Sequence, residues 1–112
     1  MIIVMEIWHL KLVLEDKALE LMQMMDEKLG PQAHIHPGWC GHARFYQSFT
    51  CLTDVFILYP WRSRELHEDL VAQEEPLLKS FYNDFCTTPR EINYYTELPV
   101  EVEHEEFDDY HG

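Results

Sequence analysis

Apolar residues recur along this chain with two different periods. Over residues 2–14, IIVMEIWHLKLVL, they alternate on both sides: Ile3, Met5, Ile7 and Val13 share one face, and Val4, Trp8, Leu10 and Leu12 the other. This pattern predicts a long strand covered on both faces. Glu15 and Asp16 then open a helix, where acidic residues suit the positive end of the macrodipole. Its stripe of Ala18, Leu21, Met22, Met25 and Leu29 has helical spacing, and Gly30-Pro31 is expected to end it. Periodicity then lapses over the twelve residues GPQAHIHPGWCG, Gly30 to Gly41. Glycine and proline punctuation makes this a loop, about twice the usual connection length. It is too rich in Ile35, Trp39 and Cys40 for a plain linker, so it is expected to form a lid or wall over a small-molecule pocket.

A second strand is predicted over His42–Thr50, with Ala43, Phe45 and Phe49 on one face and His42, Arg44, Tyr46 and Ser48 on the other. Thr53-Asp54 connects it tightly to a third strand, Val55–Trp61, so the two form a hairpin. Ser63 is placed to cap a second helix carrying Leu66, Leu70, Val71, Leu77, Leu78, Phe81 and Phe85. Pro76 interrupts that helix, and a kink or a break and restart near Glu75 is expected. A fourth strand, Arg90–Leu98, sets Ile92, Tyr94 and Thr96 opposite Asn93 and Tyr95. The order β-α-β-β-α-β predicts a ferredoxin-like α+β domain with an antiparallel four-stranded sheet over residues 1–99. An acidic tail, 100–112, is expected to fray. Two helices cover one face of such a sheet, so the other apolar face calls for a second copy, and a homodimer is expected.

Element order, length and the segment Phe56–Leu70, FILYPWRSRELHEDL, resemble the dimeric α+β barrel superfamily over roughly residues 3–98. The likeness is to its small antibiotic-biosynthesis monooxygenase-like proteins and their polyketide-cyclase relatives. A strand ending in Trp61, then Ser63 and a helix entering with Glu65 and His67, is similar to that family's strand–Trp–x–Ser/Asp–helix junction. The resemblance implies homodimers joined sheet to sheet, with a pocket between each sheet and its own helices. It also implies oxidation or cyclisation of aromatic polyketide-like substrates without metal, flavin or haem. Haem-degrading members use an Asn on the first strand with a later Trp and His. Here His9 stands in that strand region and His67 follows Trp61 too soon, so that triad is not carried over.

Charge and cysteine content narrow the setting. Eight Lys and Arg against 21 Asp and Glu give a formal charge of −13 in 112 residues, which repels nucleic-acid backbones and anionic membranes. A hydrophobic fraction of 46% argues for a folded domain. The apolar N-terminus shows no basic n-region or cleavage site, and Cys40, Cys51 and Cys86 form no C-x-x-C pair, so a cytoplasmic protein with reduced thiols is expected.

Oxidation without a cofactor needs a base to turn an electron-rich phenol into an anion, and a histidine near its ordinary pKa suits that step. His9, His67 and His42 are the candidate catalytic bases. His9 is expected to face the cavity between sheet and helices, with burial lowering its pKa. Tyr46, Tyr59, Trp39 and Trp61 are candidate donors and stacking walls for substrate, and Arg44 a counter-charge. A cyclase or isomerase would use the same parts without oxygen. A further alternative is a non-catalytic small-molecule or metal carrier, with His34, His36, Cys40 and His42 supplying nitrogen and sulfur ligands.

Overall fold

The structure is a computed structural model and describes residues 1–102. The acidic tail beyond them, on which the expectation of fraying falls, lies outside the described residues. The elements are β1 (Ile2–His9), α1 (Ala18–His34), β2 (Arg44–Gln47), β3 (Asp54–Trp61), α2 (Arg64–Phe85) and β4 (Glu91–Tyr95), with a 3-10 helix over Leu12–Lys17. The four strands form one sheet in the order β2-β3-β1-β4, every neighbouring pair antiparallel. This is the expected ferredoxin-like α+β topology.

Alternation along the central strands decides what the helices cover. Val4, Glu6 and Trp8 of β1 and Val55, Ile57, Tyr59 and Trp61 of β3 are buried. They pack beneath Leu21, Met22, Met25 and Leu29 of α1 and Leu70, Leu78 and Phe81 of α2. Ile3, Met5 and Ile7 of β1 and Phe56, Leu58 and Pro60 of β3 form the middle of the opposite face and are half-buried in the single chain.

Several boundaries differ from the periodicity, among them β4, which ends at Tyr95 and not Leu98, and α1, which begins at Ala18 after the 3-10 helix. β1 stops at His9 instead of residue 14 because its partners run out: His9 is paired with Asp54, where β3 begins, and β4 pairs no further than Ile7. Leu12 and Val13, counted as strand faces, are exposed in the 3-10 helix. Gly30-Pro31 does not end α1, which runs on to His34 and shortens the expected loop. A proline in the last turn forfeits one backbone bond and is tolerated there. α2 likewise runs uninterrupted through Pro76. Its buried Leu70, Glu74, Leu78 and Phe81 hold both halves to the sheet. β2 is only four residues long, and its neighbour Phe49 is fully exposed. Ser63 caps α2 as expected, accepting a hydrogen bond from the Leu66 N–H at 3.2 Å.

Candidate active site

The site begins with a charged residue on an apolar strand face. Glu6 lies between Val4 and Trp8 on the helix-covered side of β1 and is 4% exposed. Such a carboxylate must be paired and hydrogen-bonded to stay buried. Trp8 donates its indole N–H to Glu6 Oε1 at 2.9 Å, and the Tyr59 hydroxyl donates to Oε2. Arg90, just ahead of β4, supplies the opposite charge: Nη1 lies 3.2 Å from Glu6, Nη2 3.0 Å from Glu74 and Nε 2.9 Å from Glu75. Burial alone would raise the Glu6 pKa, but Arg90 and the two donors outweigh it and hold the carboxyl below its ordinary value. For Glu74 the balance falls the other way, and burial pushes it up to about 7 despite Arg90.

A directed chain of hydrogen bonds leads away from this cluster. His67 is fully buried, with Nε2 2.6 Å from the Tyr59 hydroxyl and Nδ1 2.9 Å from the Tyr94 hydroxyl. Because Tyr59 gives its proton to Glu6, its oxygen accepts from His67 Nε2–H, and Nδ1 then accepts from Tyr94. Burial lowers the His67 pKa to about 4, which fits this neutral tautomer. Tyr94 is half-buried under Arg64, whose guanidinium carbon sits 5.2 Å from the ring centre. Burial, with the Glu6 charge second, raises the Tyr59 pKa well above its ordinary value and keeps it a donor.

Part of this network borders a cavity of about 140 Å³ between the sheet and the helices. Glu6, Tyr59, Glu74 and Arg90 form its polar side, and Ile57, Leu29, Met25 and Leu70 its apolar walls. Trp61 lines it from the end of β3, and Trp39, His34 and His42 stand at its mouth. The rings of His34 and Trp39 lie 4.2 Å apart, and those of Trp39 and His42 5.2 Å. The segment from His36 to Trp39 is latched to the structure below. The His36 Nε2–H donates to Asp69 at 2.8 Å, and its Nδ1 accepts from the Gly38 N–H at 3.0 Å. Arg62 donates through Nε to the Pro37 carbonyl at 2.9 Å, and its backbone N–H to that of Gly38 at 2.8 Å.

The structure thus gathers Tyr59, Trp61, Trp39 and His42 around one cavity, sets His67 behind Tyr59 and off the cavity lining, and places other candidates elsewhere. His9 shares the open face with Ile7, contrary to the expectation that it faces the cavity. Its ring bridges Asp54 at 2.8 Å and Glu91 at 2.6 Å. The Glu91 hydrogen bond is the largest influence and raises its pKa, with burial opposing and Asp54 assisting, so the expected lowering is also overturned. Tyr46 and Arg44 pair with Phe56 and Leu58 on that same open face, on the exposed edge strand, and do not line this cavity. The four metal-ligand candidates do not converge as a set, although the rings of His34 and His42 lie 5.5 Å apart. His36 is turned to Asp69, His34 Nδ1 donates to the Gly30 carbonyl at 2.7 Å, and Cys40 is exposed. Among the described residues no group of three or more His, Cys, Asp or Glu could hold an ion.

Glu6, Glu74, Arg90 and Tyr94 were not singled out from the sequence. Two of them carried a signal: Glu6 interrupts the Val4–Trp8 face, and Glu74 falls midway between Leu70 and Leu78 on the buried stripe of α2. Arg90 after Pro89 carried none.

No family model matches the chain, and no curated protein matches it. Solved structures do. A crystal structure of an antibiotic biosynthesis monooxygenase is similar with a TM-score of 0.63 at 16% identity, covering 88% of this chain and 100% of that one. A monooxygenase from the gene ActVA-Orf6 of Streptomyces coelicolor, in complex with nanaomycin D, is similar with a TM-score of 0.70 at 11% identity, covering 91% of each chain. A conserved protein from Methanosarcina mazei Go1 follows at 0.63 and 17%, covering 87% of this chain and 92% of that one. At such identities the likeness is one of architecture: the chain has the ferredoxin-like fold of the antibiotic biosynthesis monooxygenase-like proteins.

Proposed function

We propose that this chain is a cofactor-independent oxygenase of an aromatic, polyketide-like small molecule, acting as a cytoplasmic homodimer with its sheets packed together. The observation that carries the reading is Glu74, a carboxyl with a pKa of about 7 lining an aromatic-walled cavity beside a buried guanidinium. A base poised near the working pH is what deprotonation of a phenol requires. The fold shared with monooxygenases, one of them holding nanaomycin D, supports the same reading.

In this mechanism a phenol with a free para C–H gives its O–H proton to Glu74. Arg90 stays paired with Glu6 and Glu75, and the negative charge Glu74 gives up is the charge the phenolate gains, so the total in the cavity does not change. The phenolate passes one electron to O₂, and the resulting superoxide joins the para carbon as a peroxide, which takes the proton back from Glu74. Loss of the C–H proton then breaks the O–O bond. One oxygen stays on the ring and the other leaves as water: phenol plus O₂ gives para-quinone plus water. Trp39 and Trp61 hold the ring, and the line Glu6–Tyr59–His67–Tyr94 fixes the polar wall with every donor already aimed. His67, buried and neutral, is a positioning residue in this scheme, while His42 at the mouth is a substrate contact.

An oxygen electrode tests the reading with phenols that keep a free para C–H, such as 1-naphthol and 1,5-dihydroxynaphthalene. Uptake of one O₂ per substrate converted, lost in Glu74→Gln, is the expected result. Conversion without uptake would instead make the chain a cyclase or isomerase using the same base, and binding without conversion a carrier. No helix among the described residues is long and apolar enough to cross a membrane.

A further inference from the structure

We propose that the cavity admits a neutral phenolic ring and rejects an aromatic carboxylate of the same size, and that the reacting ring enters alone. This deepens the oxygenase reading and rests on it for the location of the site. The first observation is charge. The cavity is bordered by three carboxyl side chains, Glu6, Asp26 and Glu74, against one guanidinium, Arg90. That guanidinium is not free to meet a ligand anion, because each of its three nitrogens already faces a carboxylate within 3.2 Å. Glu6 has both oxygens taken by Trp8 and Tyr59, so neither charge is left seeking a partner. Arg44, the cation first considered for a substrate carboxylate, lies on the opposite face of the sheet. His34 and His42 are at the mouth and exposed, and the His34 Nδ1–H is already given to a carbonyl. A carboxylate carried inside would be desolvated among like charges with no donor reserved for it, whereas a phenol O–H has acceptor oxygens to meet.

The second observation is size. About 140 Å³ matches the roughly 150 Å³ that accepts benzene in an engineered cavity, so one ring fills the space. Further rings of a larger substrate sit outward, against Trp39, His34 and His42.

The experiment compares two ligands of equal size, 3,5-dihydroxybenzyl alcohol and 3,5-dihydroxybenzoate, whose hydroxyls each keep a free para C–H. Each is titrated without oxygen into the whole 112-residue chain while tryptophan fluorescence is followed, Trp39 and Trp61 being the indoles that line the cavity. The neutral alcohol should bind at least about tenfold more tightly. The preference should survive a rise from about 0.05 to about 0.5 M salt, which screens the surface charge but not a buried one. Equal or tighter binding of the benzoate, binding of neither ligand, or loss of the preference at high salt would each overturn the proposal. Oxygen is then admitted to the alcohol complex. Tight, selective binding without oxygen uptake would defeat the oxygenase reading and leave the ligand class standing, so the two failures are distinct.

Discussion

Two residues of opposite behaviour show how environment assigns roles to like side chains. Glu6 and Glu74 share Arg90, yet Glu6 is held ionised by added donors while burial leaves Glu74 titrating near neutrality. Turnover should therefore rise with pH and level off above an apparent pKa near 7, the form Glu74 needs to accept a proton. Glu74→Gln should remove that limb and lower turnover by about 10²–10⁴-fold, the scale of losing a general base. A retained limb in the folded variant would count against Glu74. His9 makes a separate prediction, about stability. Its pKa is raised by Glu91 and Asp54, so folding binds a proton and its contribution is fully present below the unfolded value of about 6.5. That contribution is lost as pH rises through the higher folded value. The Asp54 and Glu91 contacts are partly exposed, so the effect should stay within about 1 kcal/mol. Thermal melts of wild type and His9→Gln should converge at alkaline pH. A gap that widens there would reject the assignment.

At the scale of elements, the segment from Ile35 to Ala43 is a latched wall. Gly38 is what allows the latch: a β-carbon there would lie 2.0 Å from Nε1 of Trp61, well inside van der Waals contact. Gly38→Ala should displace the segment and lower the melting temperature, while Trp39→Ala should leave the fold intact and weaken an aromatic ligand by about 1–3 kcal/mol through lost stacking. Calorimetry and ligand titration separate the two, and an unperturbed Gly38→Ala would refute the close packing. The wall over the cavity was legible because glycine, proline and tryptophan cluster there, but its length was not. Proline in a last helical turn costs one bond, and tertiary packing overrides it. The same cause hid the continuity of α2 at Pro76. Strand order and the Ser63 cap were legible because period and cap chemistry are local. The polar site was mostly not, because its members lie far apart in sequence and a lone Glu6 or Arg90 carries no spacing. His9 was assigned to the wrong side because both faces of β1 are apolar, and alternation alone does not say which of them the helices cover.

For the whole molecule, the open face decides the state of assembly. Ile3, Met5, Ile7, Phe56, Leu58 and Pro60 form a continuous apolar centre that neither helix covers. Contiguous apolar faces of this kind are rare on monomers. Pairing two copies sheet to sheet buries it at once, with His9, Asp54 and Glu91 as a charged margin at one end. The expected outcome is a single species of twice the chain mass in sedimentation at micromolar concentration, with melting temperature rising with protein concentration. Leu58→Glu places an unpaired carboxylate in the centre of that face and should yield monomers, or a protein that melts well below the wild type if one sheet alone is too small a core to stand. The cavity lies on the other side of the sheet, so Leu58 touches no proposed ligand group, and any loss of binding in that variant would have to come through assembly. A stable wild-type monomer with a concentration-independent melt would dismiss the paired sheet, and the site would then have to be complete within one chain.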